Sequence, residues 1–153
     1  MNRTVVHDTF VIDRNYSASP ARVFAAFADP AKKKQWFGDP DIEQNAPHVI
    51  DFRVGGRETL AGAAGGASFS YEVLYQDIVE DSRIVYSYEM TMDGRRISVS
   101  VATLEFLADG DKTRLILTEQ GAYLDGLDTA AQREEGTRGL LEALASYLEK
   151  ESS

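Results

Sequence analysis

The spacing of hydrophobic positions along this chain changes period twice. Over residues 3–17, Val5, Val6, Phe10 and Ile12 stand among polar neighbours, which predicts a strand. Helical spacing takes over at Ser19. That hydroxyl can cap a helix and Pro20 suits its first turn, where the missing N–H costs nothing; Val23, Phe24, Phe27 and Ala28 then follow on one face. Asp29-Pro30 repeats the cap-and-proline signal. It predicts a second short helix running through Lys32-Lys33-Lys34 to Trp36-Phe37, closed by Gly38.

From His48 to about Ala122 the period is two and the vocabulary β-branched and aromatic, which predicts strands near 48–54, 57–62, 67–79, 83–93, 95–107 and 112–122. Gly55-Gly56 and Asp93-Gly94 stand where hairpin turns need positive φ, and Asp109-Gly110-Asp111 supplies a third turn. The stretch from Gly62 to Gly66 reads as a flexible tip. Past Gln76 the alternation slips by one, which predicts a bulge near Gln76–Asp77. Consecutive hairpins this close together make an antiparallel meander. A last helix is predicted from about Thr129 to Lys150. Thr137, Leu140, Leu141, Leu144 and Leu148 form its apolar stripe, and Glu134, Glu135, Glu142 and Glu149 face away. At 1.5 Å per residue such a helix is roughly 33 Å long, about the length of a strand of ten to twelve residues. Both apolar faces are buried at once if the helix lies across the concave side of a twisted sheet. That is an α+β architecture, and no repeat, linker or low-complexity segment divides residues 1–153 into more than one domain.

Composition narrows the chemistry. Sixteen basic against 25 acidic residues, a net charge of −9, argue against a nucleic-acid partner. The absence of cysteine excludes a disulfide framework, a thiolate metal site and a thiol nucleophile. The first eight residues lack the apolar core of a signal peptide. The longest apolar run, Val23 to Ala28, falls far short of the ~20 residues of a membrane span, so a soluble, cytoplasmic protein is expected. His7 and His48 have no carboxylate or second histidine at ligand spacing, so neither a metal nor another cofactor is expected. The serines show no nucleophile elbow, and the glycine clusters lack the lysine and hydroxyl of a phosphate loop.

Several motifs resemble one known family. They are Ser17-Ala18-Ser19-Pro20 with Val23-Phe24 and Phe27; Asp29-Pro30 with Trp36-Phe37-Gly38; and Asp51-Phe52-Arg53-Val54-Gly55-Gly56-Arg57. Later come Arg83-Ile84-Val85-Tyr86-Ser87, Thr113-Arg114-Leu115, Thr118-Glu119-Gln120-Gly121, and Glu135-Gly136 leading into Leu140-Leu141 and Tyr147-Leu148. Together they resemble the activator-of-Hsp90-ATPase-like branch of the START-like, or SRPBCC, superfamily over essentially the whole chain. The resemblance implies a helix-grip fold, in which a curved antiparallel sheet and two short helices wrap a long C-terminal helix. It also implies a cavity between that helix and the sheet, where superfamily members bind lipids, sterols, polyketides or aromatic products and some catalyse cyclisation or dehydration. Many relatives carry tryptophan after the helix's Glu-Gly; Thr137 stands there in this chain and should enlarge the space beneath it.

Candidate cavity residues follow from that geometry: Trp36, Phe37, Phe52, Tyr71, Tyr86, Tyr88, Met90, Glu119, Tyr123, Arg133, Thr137 and Leu141. Trp36 and Phe37 read either as a gate at the cavity mouth or as a seal on the core. Ile84, Tyr86, Tyr88, Met90 and Met92 share a strand face, as do Tyr71, Val73 and Tyr75; either group could wall an amphipathic ligand or simply pack the core. Glu119 falls in phase with Leu115 and Leu117, which puts a carboxylate on the leucine face. There it needs a partner or a raised pKa. Arg133, four residues before Thr137, could pair with it at a polar end for a ligand headgroup, or both could sit at the solvated rim. Lys32-Lys33-Lys34 reads as a solvated helix face that could also steer an anionic ligand.

Three functions fit. The first is a small-molecule binding protein for a hydrophobic or amphipathic ligand. The second is an interaction module touching an Hsp90-type chaperone. The third is a cyclase- or aromatase-like enzyme with Glu119 as general base. Pairing of exposed strand edges could add a homodimer to the monomer, though nothing in the sequence demands it.

Overall fold

The computed structural model describes residues 3–152. Its elements run in the order β1 (Val5–Tyr16), α1 (Pro20–Ala28), α2 (Pro30–Lys33), β2 (Glu43–Gln44), β3 (Val49–Ile50), β4 (Arg57–Ala64), β5 (Ala67–Val79), β6 (Arg83–Met92), β7 (Arg95–Asp109), β8 (Lys112–Leu124) and α3 (Ala130–Ser152). The eight strands form one antiparallel sheet in the order β1-β8-β7-β6-β5-β4-β2, with β3 also on β4. The meander from β4 to β8 follows from its turns. Asp93 and Gly94 both have positive φ, as do Gly65 and Gly66, the conformation that a two-residue hairpin requires. The expected flexible tip therefore shrinks to Gly65-Gly66, and β4 continues through Gly62 to Ala64. β1 closes the far edge by pairing along its whole length with β8.

Residues 48–54 depart from expectation. Only Val49 and Ile50 pair with β4; beyond them the Gly56 backbone exchanges with β5, Tyr75 N–H donating to Gly56 and Gly55 N–H donating to Tyr75. The chain must turn at Gly55, φ +83°, to make that switch. A short strand at Glu43–Gln44, which no alternation announced, is added on the outer side of β4. The bulge expected at Gln76 is present, with the register jumping between Tyr75 and Asp77. A second one lies opposite Met90 and Thr91, where β7 has an extra residue, Ile97.

The helix starts carry the expected caps. Ser19 Oγ accepts from Arg22 N–H at 3.3 Å, and Asp29 Oδ1 accepts from Ala31 N–H at 3.0 Å. The second helix is shorter than expected: it ends at Lys33, and a turn delivers Trp36 and Phe37. In α3, Thr129 Oγ1 accepts from Gln132 N–H at 3.1 Å.

α3 crosses the concave face and is most deeply buried along its C-terminal half, with Ala130 and Leu140 packed against the core as partly buried residues. Leu141, Leu144 and Leu148 are buried, whereas no residue from Ala130 to Leu140 is. The C-terminal half is tied down at both ends: Tyr16 O–H donates to the Leu141 carbonyl at 2.9 Å, and Arg22 donates to the Leu148 carbonyl at 3.2 Å. Arg22 and Lys32 also pair with Glu151. Burying each leucine contributes about 1.5–3 kcal/mol, so these three supply most of the apolar anchoring of the helix. We predict that Leu144→Ala costs about 2–5 kcal/mol in urea unfolding. Thr137→Ala, on the less deeply buried half, should stay within about 0.5 kcal/mol. An equal loss from both would contradict this uneven anchoring.

Candidate functional site

Strand alternation sets which side chains face the helix. Cross-strand rows on the concave side read Tyr86–Ala102–Glu119, Tyr88–Ser100–Gly121 and Met90–Ser98–Tyr123. Gly121 has no side chain for a reason of space. A Cβ there would lie 2.6 Å from the Tyr123 hydroxyl and 3.0 Å from Ser100 Oγ, so the Tyr123 ring folds back across the glycine.

Ten aromatic rings form a closed circuit inside the fold. It runs Phe106, Phe24, Phe52, Tyr75, Tyr86, Tyr88, Tyr71, Phe37, Trp36, Phe27 and back to Phe106, with ring centroids 5.0–6.0 Å apart. Phe24, Phe27 and Trp36 are buried, and the Trp36 indole N–H donates to the Ala26 carbonyl at 3.1 Å. The opposite arc differs. Burial pushes the hydroxyl pKa values of Tyr71 and Tyr86 up, so both lie deep in the molecule, yet neither ring is sealed. Both pack against the hydrophobic core as partly buried residues. Met90 and Phe37 beside them are half-buried as well. An open hollow of about 470 Å³ is lined by His7, Asp8, Thr9, Gln120 and Gly121 of β1 and β8.

A carboxylate with three donors stands against the circuit. Glu58 is fully buried; Lys33 Nζ donates to Oε1 at 2.6 Å, Tyr75 O–H donates to the same oxygen at 2.6 Å, and His48 donates from Nε2 to Oε2 at 2.7 Å. The Lys33 ammonium also stands 4.4 Å from the centre of the Phe37 ring. Burial alone would raise the pKa of Glu58. The charge of Lys33 and the hydrogen bonds from His48, Lys33 and Tyr75 outweigh it and hold the group down at about 2. Because the carboxylate can only accept, His48 carries its proton on Nε2.

Glu119 has the opposite environment. It too is buried, but its hydrogen bond comes from one neutral donor, Tyr88 O–H at 2.7 Å. Burial pushes its pKa up to about 7, against the hydrogen bond from Tyr88 and the more distant charge of Arg133. Arg133 itself is engaged elsewhere. It donates to Asp128 Oδ1 at 3.3 Å and makes an ion contact of 3.1 Å with Oδ2, where the angle is too poor for a hydrogen bond. Close by, Ser98 Oγ, Ser100 Oγ and Tyr123 O–H are buried and find no hydrogen-bond partner among the described residues.

Three expectations need correction. The Glu119–Arg133 pair does not form, because Asp128, immediately before the helix cap, is nearer to Arg133. Lys33 is not solvated but 4% exposed, since α2 turns it inward onto Glu58. His48 does have a carboxylate partner, brought to it by the pairing of β3 with β4. The structure brings Tyr71, Tyr86, Tyr88, Met90 and Glu119 together through ring contacts, strand pairing and the Tyr88–Glu119 hydrogen bond. Phe37 touches this group through Tyr71, Arg133 of α3 is near enough for its charge to act on Glu119, Tyr88 and Tyr123, Tyr123 shares a row with Met90 and Ser98, and Thr137 is half-buried on α3. Phe52, packed on Phe24 and Tyr75, and Leu141, in the sealed core, stand apart from it. Sequence reasoning missed Glu58, Lys33 and His48 as a group. Glu58 alternates in phase with Leu60, and Lys33 shares a helical face with Trp36 and Phe37, so the signal was present in both. Among the described residues, no three His, Asp or Glu side chains gather as a metal site would need, and no helix is long and apolar enough to cross a membrane.

A curved antiparallel sheet gripping a long C-terminal helix is the helix-grip fold of the START-like superfamily. The chain belongs to the family of Activator of Hsp90 ATPase homolog 1-like proteins, whose profile matches residues 17–149. The crystal structure of the Mll3558 protein from Rhizobium loti is 50% identical and superposes with a TM-score of 0.87, covering 94% of this chain and 99% of that one. A protein from Rhizobium leguminosarum, solved at 1.9 Å, is 38% identical with a TM-score of 0.92 over 98% and 99% of the two chains. The AHSA1-like protein from Aeromonas hydrophila, at 21% identity and a TM-score of 0.69 over 95% and 94%, shares the fold. No curated protein matches the chain.

The two carboxylates make opposite predictions for pH. Glu58, held below its ordinary 4.5, stabilises the fold above that pH and loses its contribution as pH falls toward 2. Glu119, raised above 4.5, is favoured while protonated, so its contribution declines as pH rises from about 4.5 through 7. Glu119→Gln should therefore remove a fall in stability between pH 5 and 8, measured by urea unfolding. A variant with an unchanged slope would contradict the raised pKa. Lys33→Met, which strands Glu58 without its cation, should cost about 3–5 kcal/mol at pH 7.

Proposed function

We propose that this is a cytoplasmic small-molecule binding protein that holds a hydrophobic or amphipathic ligand between the N-terminal half of α3 and the sheet. One observation carries this reading. Tyr71 and Tyr86 lie deep enough for burial to raise their hydroxyl pKa values, yet both residues keep some accessible surface. An ordinary core would bury them as it buries Leu104 and Leu115. Phe37 and Met90 supply apolar wall, and Glu119 with Tyr88 supplies a polar end. Thr137 supports the reading as well. Its hydroxyl is spent on the Arg133 carbonyl at 2.8 Å, which leaves the methyl group as the free end of a small side chain.

Glu119 favours a second reading, an enzyme of the cyclase or aromatase kind. A carboxylate with a pKa of about 7 beside an aromatic cleft is suited to take and return a proton near neutral pH. Membership of a family named for Hsp90 ATPase activation adds a chaperone as a candidate partner. Stimulation of the chaperone's ATPase would be its signature.

Thermal shift against fatty acids, sterols, flavonoids and aromatic polyketides tests the binding reading. A ligand at 100 times its Kd adds about 2.7 kcal/mol, which at this size raises Tm by about 5–10 °C. The expected result is a shift in one class that Thr137→Trp abolishes. A shift that survives this blockade would place binding elsewhere. Turnover of the bound compound that Glu119→Gln eliminates, with binding retained, would select the enzyme.

A further inference from the structure

We propose that the open edge of β1 is the interface of a symmetric homodimer, in which the strand pairs antiparallel with β1 of a second copy, Val11 opposite Val11. The sheet treats its two edges differently. At one end β4 is covered by β2 and β3, two residues each, and strands so short offer little template. At the other end β1 runs for 12 residues and pairs with β8 without a break in register; among the described residues, no strand pairs with its other side. Even-numbered residues of β1 address β8, as the bond from Asp125 N–H to the Thr4 carbonyl shows. The N–H and C=O groups of Val5, His7, Thr9, Val11, Asp13 and Asn15 therefore point outward. Thr9 N–H agrees, donating to Asp8 Oδ1 at 2.8 Å. The strand has no proline, lysine or bulge to deter a partner, and Val5, Val6 and Val11 are 54%, 59% and 53% exposed.

Charge decides what the edge takes. A two-fold axis through Val11 puts Phe10 opposite Ile12, Asp8 opposite Arg14 and Val6 opposite Tyr16 on the concave face. On the other face it puts Thr9 opposite Asp13 and His7 opposite Asn15. Symmetry makes the Asp8–Arg14 pair twice. Moving the axis by one residue sets Asp8 against Ile12 or Tyr16, and placing it at Asp8 or Asp13 sets two carboxylates face to face. Asp8 is an inward-pointing charge, a common guard against edge pairing. Here the guard is reversible. Pairing gives Thr9 N–H the Asp13 carbonyl of the second copy and releases the Asp8 carboxylate to Arg14 of that copy, whose partner within its own chain is the exposed Glu142. The strand is thus complementary in charge to itself, which selects a second copy of this chain as its occupant.

Sedimentation velocity from about 5 to 500 µM, the range that suits a small interface, tests this. The wild-type chain should pass from monomer to dimer. Val11→Pro removes an outward N–H and leaves the β1–β8 ladder whole, so it should stay monomeric at the highest concentration and keep the wild-type circular dichroism. Asp8→Arg and Arg14→Asp each put like charges opposite one another, and each alone should weaken the dimer at least about tenfold. Mixed in equal amounts they should form a heterodimer, because every arginine then faces an aspartate. The mixing experiment decides if Val11→Pro fails to fold. A wild-type chain that is monomeric throughout, a dimer that survives Val11→Pro, or charge variants that behave the same alone and mixed overturns the β1 interface.

Discussion

Glu58 carries a full charge in a place that water does not reach, and a carboxylate can stay there only while several donors converge on it. Those donors come from three separate parts of the chain: Lys33 at the end of α2, His48 just before β3, and Tyr75 next to the bulge of β5. Their meeting determines where the irregular segment between residues 34 and 56 lies, a stretch with little regular secondary structure of its own. With α2 pinned, Trp36 packs under α1 and Phe37 is set against Tyr71, which closes the aromatic circuit. Arg22 and Lys32, carried on the same two helices, reach the last turn of α3 through Glu151. One end of the molecule is thus locked, and the deeply buried half of α3 belongs to it. The other half of the helix is buried less deeply.

The molecule buries two carboxylates in contrasting ways. Glu58 is surrounded by donors, including a cation, and remains an anion across the physiological range. Glu119 has one phenol for company and titrates near neutrality. Groups driven apart in this way commonly divide structural and functional roles between them. Here Glu58 stands in the locked part of the molecule, and Glu119 stands on β8 within reach of the charge of Arg133.

Much of this was legible in the residues, and what was not has a common cause. One hairpin was written in Asp93-Gly94, the bulge in the slipped alternation at Gln76, and the inward direction of Glu119 in its phase with Leu115 and Leu117, whereas the Gly65-Gly66 turn read only as a flexible tip. These are local signals, carried within a few residues. The Glu58 cluster joins positions ten and 25 residues apart, and each member taken alone looks ordinary: a lysine in a basic run, a lone histidine, a glutamate in a strand. The partner of Arg133 was misjudged for a related reason. Helical spacing placed the arginine correctly near Glu119, but the position of Asp128 depends on how the chain leaves β8, which periodicity does not encode. The shallower burial of the first half of α3 was hinted at only by Thr137 in its stripe.

The central claim is that the N-terminal half of α3 covers a ligand site walled by the aromatic arc, with Met90 inside it. Methyl NMR of the protein with ¹³C-methyl methionine, titrated with 9-anthracenemethanol, tests this most directly. An anthracene ring stacked along Tyr71 and Tyr86 would move the Met90 methyl resonance upfield through its ring current, saturably, and Thr137→Trp would abolish the change. A Met90 methyl that stays in place while the probe saturates the protein would put the ligand elsewhere and contradict the account.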